Sequence, residues 1–275
     1  MIHDTTALDG CRRLRRTIID MIHTAGSGHS GGSLSCVEIL WTLYNGIIRY
    51  RADDPAWSER DRFVLSKGHA APALYAVLAA KGFLRAGELA TLRRAGSILQ
   101  GHPDMRKVPG VEMSAGSLGM GISVGVGMAL AGRPAGKDYQ VYVLVGDGEL
   151  DEGQNWEAMM AAAKFRLGNL TVIVDRNGVQ LDGPVDEVMP LGDLAAKLRA
   201  FGLGVLECDG HDVDALAKTL AEAGRNGPRT RAVIAHTVKG KGVPFMEGQS
   251  AWHGKPIDDE AYRRAIEALA PTEGR

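Results

Sequence analysis

Residues 140–178 read QVYVLVGDGELDEGQNWEAMMAAAKFRLGNLTVIVDRNG, and their pattern sets the architecture. The unbroken apolar run Gln140–Val145 predicts a strand covered on both faces. A helical pattern follows over Gln154–Phe165, and Leu170–Asp175 repeats the strand pattern. Strand, helix, strand at this spacing is a βαβ unit, so the two strands run parallel. Ligands of open parallel sheets bind beyond the carboxyl ends of the strands. Here those ends carry Gly146-Asp147-Gly148-Glu149 and Asp175-Arg176-Asn177-Gly178.

C-terminal to this unit the beat continues through a helix over Leu191–Phe201, a strand over Gly204–Cys208 and a helix over Val213–Ala223. A strand over Arg231–Ala235 and a helix over Asp259–Leu269 close it. Toward the N-terminus, Leu14, Ile18, Ile19, Met21 and Ile22 give Leu8–Ala25 a helical apolar face. A glycine-rich turn, Gly26–Gly32, follows, and Ser33 is placed as the N-cap of the next helix. Arg62–Ser66 predicts a strand, Ala70–Ala80 and Ala86–Arg94 predict helices, and residues 98–115 read as a long loop. Leu118–Ala131 predicts a glycine-rich helix. The expectation is one α/β domain over residues 1–275, doubly wound, with a mostly parallel sheet and helices on both faces.

The composition narrows the function. Hydrophobic residues make up 45% and charged residues 24%, which excludes a disordered chain. Lys and Arg total 32 against 33 Asp and Glu, so nothing points to a nucleic-acid partner. Cys11, Cys36 and Cys208 form no paired motif, which suggests a reducing compartment. No uninterrupted apolar run reaches the roughly 20 residues of a bilayer span. A cytoplasmic protein without membrane contact is expected.

Asp147 offers a hard carboxylate oxygen and Asn177 a neutral amide oxygen. Adjacent parallel strands would bring them together, and such donors suit Mg2+ or Ca2+ completed by phosphate and water. Gly146 and Gly148 leave room for a phosphate at the backbone. Glu149, Asp151 and Glu152 add acid to the same turn. Taken singly, an Asp-Gly or Asn-Gly pair is first of all a turn. His29, His69, His102 and His253 each adjoin a glycine in a predicted loop, without zinc spacing. Such imidazoles suit hydrogen bonding to a polyhydroxyl substrate and a diphosphate. His23 and His211 are read as structural. Residues 115–119 open a helix whose free N–H groups favour phosphate. Lys239-Gly240-Lys241 reads equally as a phosphate contact or a solvated loop. There is no Walker P-loop ending and no G-x-G-x-x-G after a first strand.

Together these peptides resemble the thiamin-diphosphate-binding, N-terminal part of transketolases. The resemblance rests on Gly26-Ser27-Gly28-His29-Ser30-Gly31-Gly32, Ser66-Lys67-Gly68-His69, Gly101-His102-Pro103 and Gly116-Ser117-Leu118-Gly119-Met120-Gly121-Ile122. It rests also on Gly146-Asp147-Gly148-Glu149, on Asn177-Gly178-Val179-Gln180-Leu181-Asp182-Gly183 and on Trp252-His253-Gly254-Lys255-Pro256. It runs in order over nearly the whole chain.

The resemblance implies a thiamin-diphosphate-binding fold with thiamin diphosphate and Mg2+ as cofactors, Ca2+ or Mn2+ being possible substitutes. It implies metal ligation by Asp147, Asn177 and the Val179 carbonyl. His69, Gly116, Leu118, Gly148, Glu149, Asn177 and His253 would contact the cofactor, with Leu118 beside its rings. His29, His102 and His253 would be catalytic, His102 holding the donor's terminal hydroxyl. Glu152 matches a glutamate that links paired sites across a subunit interface. The pyrimidine-binding and C-terminal domains, with the glutamate that activates the cofactor, are expected on a separate transketolase C-terminal subunit in an alpha2beta2 heterotetramer. The implied activity is transfer of a two-carbon ketol unit between sugar phosphates, as in the pentose phosphate pathway. The alternatives are a specialised transketolase for an unusual sugar phosphate, a deoxyxylulose-phosphate-synthase-like or E1-like subunit, and a non-catalytic binding module.

Overall fold

The computed structural model describes residues 5–225 and 227–271. Of the tail Pro271–Arg275, residues 272–275 lie outside the described residues. Among the described residues five strands form one all-parallel sheet: β1 (Arg62–Leu65), β2 (Val141–Gly146), β3 (Leu170–Arg176), β4 (Gly204–Asp209) and β5 (Arg231–His236), in the order β1-β2-β3-β5-β4. The register sets Gly146 beside Asp175 and Asp175 beside Ala235, so the carboxyl ends of β2, β3 and β5 finish level.

Alternation along the strands divides the interior in two. Tyr142, Leu144, Ile173 and Val233 face one core. That core holds apolar residues of α1 (Thr5–Ala25), α3 (Val37–Thr42), α4 (Ala71–Ala80), α9 (Val213–Ala223) and α10 (Asp259–Ala268). Val141, Val143, Val145, Val172, Val174 and Ile234 face the other, with α5 (Met120–Gly132), α6 (Gly153–Lys164) and α8 (Leu194–Ala200). Burial on both faces is why the strands read as continuous apolar runs. The doubly wound α/β reading of the sequence therefore holds. No helix among the described residues is long and apolar enough to cross a membrane.

The differences from the sequence reading sit near the strand ends. The glycine turn after α1 is not all loop: α2 (Ser30–Leu34) starts inside it and is buried throughout. Ser33 is not an N-cap but lies within α2, its hydroxyl donating to the His29 carbonyl (2.6 Å). Tertiary packing overrides the poor helix propensity of glycine here. A Cβ at Gly31 would meet Lys239 and the Trp252 carbonyl at 3.0 Å, and one at Gly32 would meet His69 Nε2 at 2.9 Å. The helix expected over Ala86–Arg94 is a 3-10 turn, Ala86–Thr91. It cannot continue as a helix because Leu92 turns to ψ 128° and Arg93 takes φ 60°. The glycine-rich helix α5 starts two residues late, after Gly119 at φ 83°. Its glycines serve close packing: a Cβ at Gly125 would lie 2.5 Å from Val143, and one at Gly121 2.3 Å from Ser66. A short helix, α7 (Val185–Val188), has no counterpart in the sequence reading.

Candidate active site

The loops after β1, β2, β3 and β5 converge on one cavity. Asp147 follows β2 and is 2% exposed. Its Oδ1 accepts from the Gly148 N–H (2.9 Å) and its Oδ2 from the Gly178 N–H (2.6 Å). The second bond ties the β2 turn to the β3 turn. Asn177 Oδ1 accepts from the Val179 N–H (3.2 Å), and a bridge between Val179 and Pro184 folds the following loop back on itself. Asp147, Gly148, Glu149, Asn177, Val179, His69, Leu118 and His253 all line this cavity.

His29 and His102 extend the group beyond the cavity wall. The His29 ring lies 5.4 Å from His69, 5.3 Å from His253 and 6.3 Å from His102, centroid to centroid. Gly116 packs against His102, where a Cβ would fall 3.4 Å from the ring. The four loop histidines thus form one cluster. His23 and His211 stand apart: His23 stacks on Tyr262 and meets Asp259, and His211 bonds Glu38 (3.0 Å) and accepts from the Val238 N–H (2.8 Å).

Glu149 lines the cavity, but its oxygens are already engaged. They accept from the Ser66 hydroxyl, the Gly119 N–H (3.0 Å) and the Gly146 N–H (3.0 Å). Glu149 thereby braces the β2 turn against the start of α5.

Two lysines that carried no firm role in the sequence reading stand at the centre. Lys239 is 2% exposed, so it is not a solvated loop residue. Its Nζ donates to the Val179 carbonyl (3.0 Å) and contacts His253 Nδ1 (3.0 Å). Burial, with Lys67 nearby, lowers the Lys239 ammonium to about 8. Lys67 is fully buried against Asp175 and also donates to the Gly32 carbonyl (2.8 Å). Asp175 accepts further from the Thr237 and Ser35 hydroxyls, and Asn177 Nδ2 lies 3.4 Å from it. Sequence marks Lys67 only by its place between a strand end and His69.

The electrostatics favour anions and a cation together. Burial, with Asp175 adding to it, raises the Asp147 carboxyl to about 6, against the pull of the Gly178 and Gly148 amides. A nearby cation would offset that penalty. Burial first, then neighbouring positive charge, lowers His29 and His253 to about 4, so both rings are neutral near pH 7. Among the described residues no three His, Cys, Asp or Glu side chains form a metal cluster. The donors that the resemblance implies, the Asp147 carboxylate, the Asn177 amide oxygen and the Val179 carbonyl, each already accept a hydrogen bond, the last from Lys239; oxygen donors of this kind suit a hard ion that takes its other ligands from phosphate and water.

A parallel sheet whose strand ends carry glycine turns, buried lysines and oxygen donors around one cavity is suited to an anionic ligand. Residues 6–271 match the family described as transketolase, thiamine diphosphate binding domain. The chain is 43% identical over 256 residues to one subunit of an apulose-4-phosphate transketolase of Phocaeicola vulgatus, covering 93% of this chain and 91% of that one. It is 43% identical to a 6-deoxy-6-sulfo-D-fructose transketolase subunit of Clostridium sp. (strain MSTE9), covering 93% of each. A transketolase of Pichia stipitis superposes with a TM-score of 0.92 at 31% identity, covering 97% of this chain. The chain spans 41% of the length of that solved transketolase, and likewise 41% of the human one, to which it is 40% identical. The chain belongs to the transketolase family, as a thiamin-diphosphate-binding domain resembling the corresponding separate chains of split enzymes.

Proposed function

We propose that this chain is the diphosphate-binding subunit of a two-subunit transketolase, acting on a specialised sugar phosphate or sulfonate. The match pattern carries this reading. Three relatives matched nearly end to end are named as subunits of transketolases for unusual sugars, whereas full-length transketolases are matched over 41% of their length. This favours the specialised alternative over the general pentose-phosphate reaction expected first. A C-terminal subunit would supply the remaining domains, in an alpha2beta2 assembly. Glu152, exposed beside Gly119, is suited to an interface.

Asp147, Asn177 and the Val179 carbonyl would hold Mg2+, with Lys239 beside the same carbonyl and His69 and Gly148 close to the diphosphate. Bound there, thiamin diphosphate supplies an acyl-anion equivalent that no side chain can provide. The chain's own work is orientation and proton handling. His29 and His253 are neutral and can hydrogen-bond the donor carbonyl as charge grows on its oxygen. His102 would hold the donor's terminal hydroxyl.

Co-expression with the C-terminal subunit tests the proposal. The two should co-elute and transfer a two-carbon unit in the presence of thiamin diphosphate. Apulose-4-phosphate or 6-deoxy-6-sulfo-D-fructose should serve better than xylulose-5-phosphate, with an aldose phosphate as acceptor. Equal use of all donors would remove the specialised reading, and no transfer from any donor would remove the transketolase reading.

A further inference from the structure

Arg93 reaches the histidine cluster from outside the motifs read in the sequence. It has a left-handed backbone, φ 60°, which is uncommon for a non-glycine residue, and its N–H donates to the Leu99 carbonyl (2.8 Å). Such outliers cluster where side-chain placement matters. Gly101 makes room for the guanidinium, since a Cβ there would lie 2.9 Å from Cζ, Nε and Nη2. Nη1 donates to the Ser27 hydroxyl (2.6 Å), and Nη2 lies 3.3 Å from His29 Nδ1. The buried Nε has no partner among the described residues.

A guanidinium has five N–H donors, no acceptor and a permanent charge. In its contact with His29 it can only donate. His29 Nδ1 must therefore be the acceptor and carry no hydrogen, and a neutral ring then has its proton on Nε2.

We propose that Arg93 is a positioning residue that fixes His29 as the neutral Nε2–H tautomer, so that the ring offers a hydrogen-bond donor to a substrate oxygen. The proposal rests on the reading of His29 as substrate-facing. The charged and titratable groups around His29 are Arg93, Lys239, His69, His102 and His253. Burial, then Arg93, His102 and Lys239, disfavour the imidazolium, which agrees with a neutral ring.

The test is long-range proton–nitrogen NMR on the full chain labelled with 15N-histidine, with His29→Gln to assign the signal. At pH 7 His29 should show a protonated Nε2 and a bare Nδ1, and a protonated Nδ1 would overturn the proposal. In Arg93→Met the two tautomers should mix, and the titration midpoint should rise by at least one pH unit. An unchanged pattern and midpoint would overturn it equally. Should Arg93→Met fail to fold, the wild-type spectrum decides alone. Neither readout needs cofactor or partner. A failed transketolase reading would show instead as absent transfer in the reconstituted complex, with these spectra unaffected.

Discussion

Replacing Lys67 by Met removes the ammonium beneath the β3 turn and leaves Asp175 without its counter-ion. The side chains of this pair are 1% and 0% exposed. Breaking a buried pair by removing one partner costs about 3–5 kcal/mol. The Ser35 and Thr237 hydroxyls still donate to Asp175, so the low end of that range applies. At this chain length each kcal/mol lowers Tm by about 2 °C, which gives a drop of about 6 °C.

The sign with pH follows from the charges. In the wild type, Lys67 and the two hydroxyls hold Asp175 below the ordinary carboxylate range despite burial. That contribution is complete above the unfolded carboxyl pKa and is lost as pH falls through the lower folded value. Without Lys67, burial raises the Asp175 carboxyl, and protonation relieves the variant. The deficit should therefore be largest near pH 7.5 and shrink toward pH 4.5. Thermal melts of wild type, Lys67→Met and Lys67→Met/Asp175→Leu measure it, and the double variant should recover part of the loss. A drop below about 2 °C, or a deficit independent of pH, would refute the buried-pair account.

Other predictions address the cavity itself. His253→Ala in the reconstituted complex should lower turnover by about a hundredfold or more, the scale of general acid–base catalysis, with little change in cofactor affinity; titration beside steady-state kinetics separates the two. Gly32→Ala puts a Cβ 2.9 Å from the buried His69 Nε2, so the ring must shift; overpacking should cost about 1–3 kcal/mol, a Tm drop of about 2–6 °C, and thiamin diphosphate affinity should fall with it, read by thermal melts beside titration. His29 and His253 have lowered folded pKa values of about 4, so the unfolded chain binds more protons between about pH 6.5 and 4. Stability should fall as pH drops through that window, and His29→Gln/His253→Gln should lose less over the same range in urea melts.

What the sequence revealed follows from physical cause. Strands buried on both faces leave continuous apolar runs, so β2, β3 and β5 were legible to within a residue or two. The convergence of the Asp147 and Asn177 turns was legible because parallel neighbours bring strand ends together, and the Asp147–Gly178 bond is the result. Lys239 and Lys67 were not, because a lysine in a polar loop looks solvated until the loop is seen to fold under its neighbours. Arg93 was hidden for a different reason. Its left-handed backbone breaks a pattern that reads as helix, and its partner His29 lies 64 residues away. α2 escaped because its glycines are tolerated only where Lys239, Trp252 and His69 leave no space for a Cβ.

In the proposed function the ends of β2 and β3 share one hard cation that carries the cofactor's diphosphate. Calorimetric titration of thiamin diphosphate into the co-purified complex, with and without Mg2+, for wild type and Asp147→Ala, decides this. Binding should require Mg2+ in the wild type and vanish in the variant. Undiminished, metal-independent binding by Asp147→Ala would contradict it.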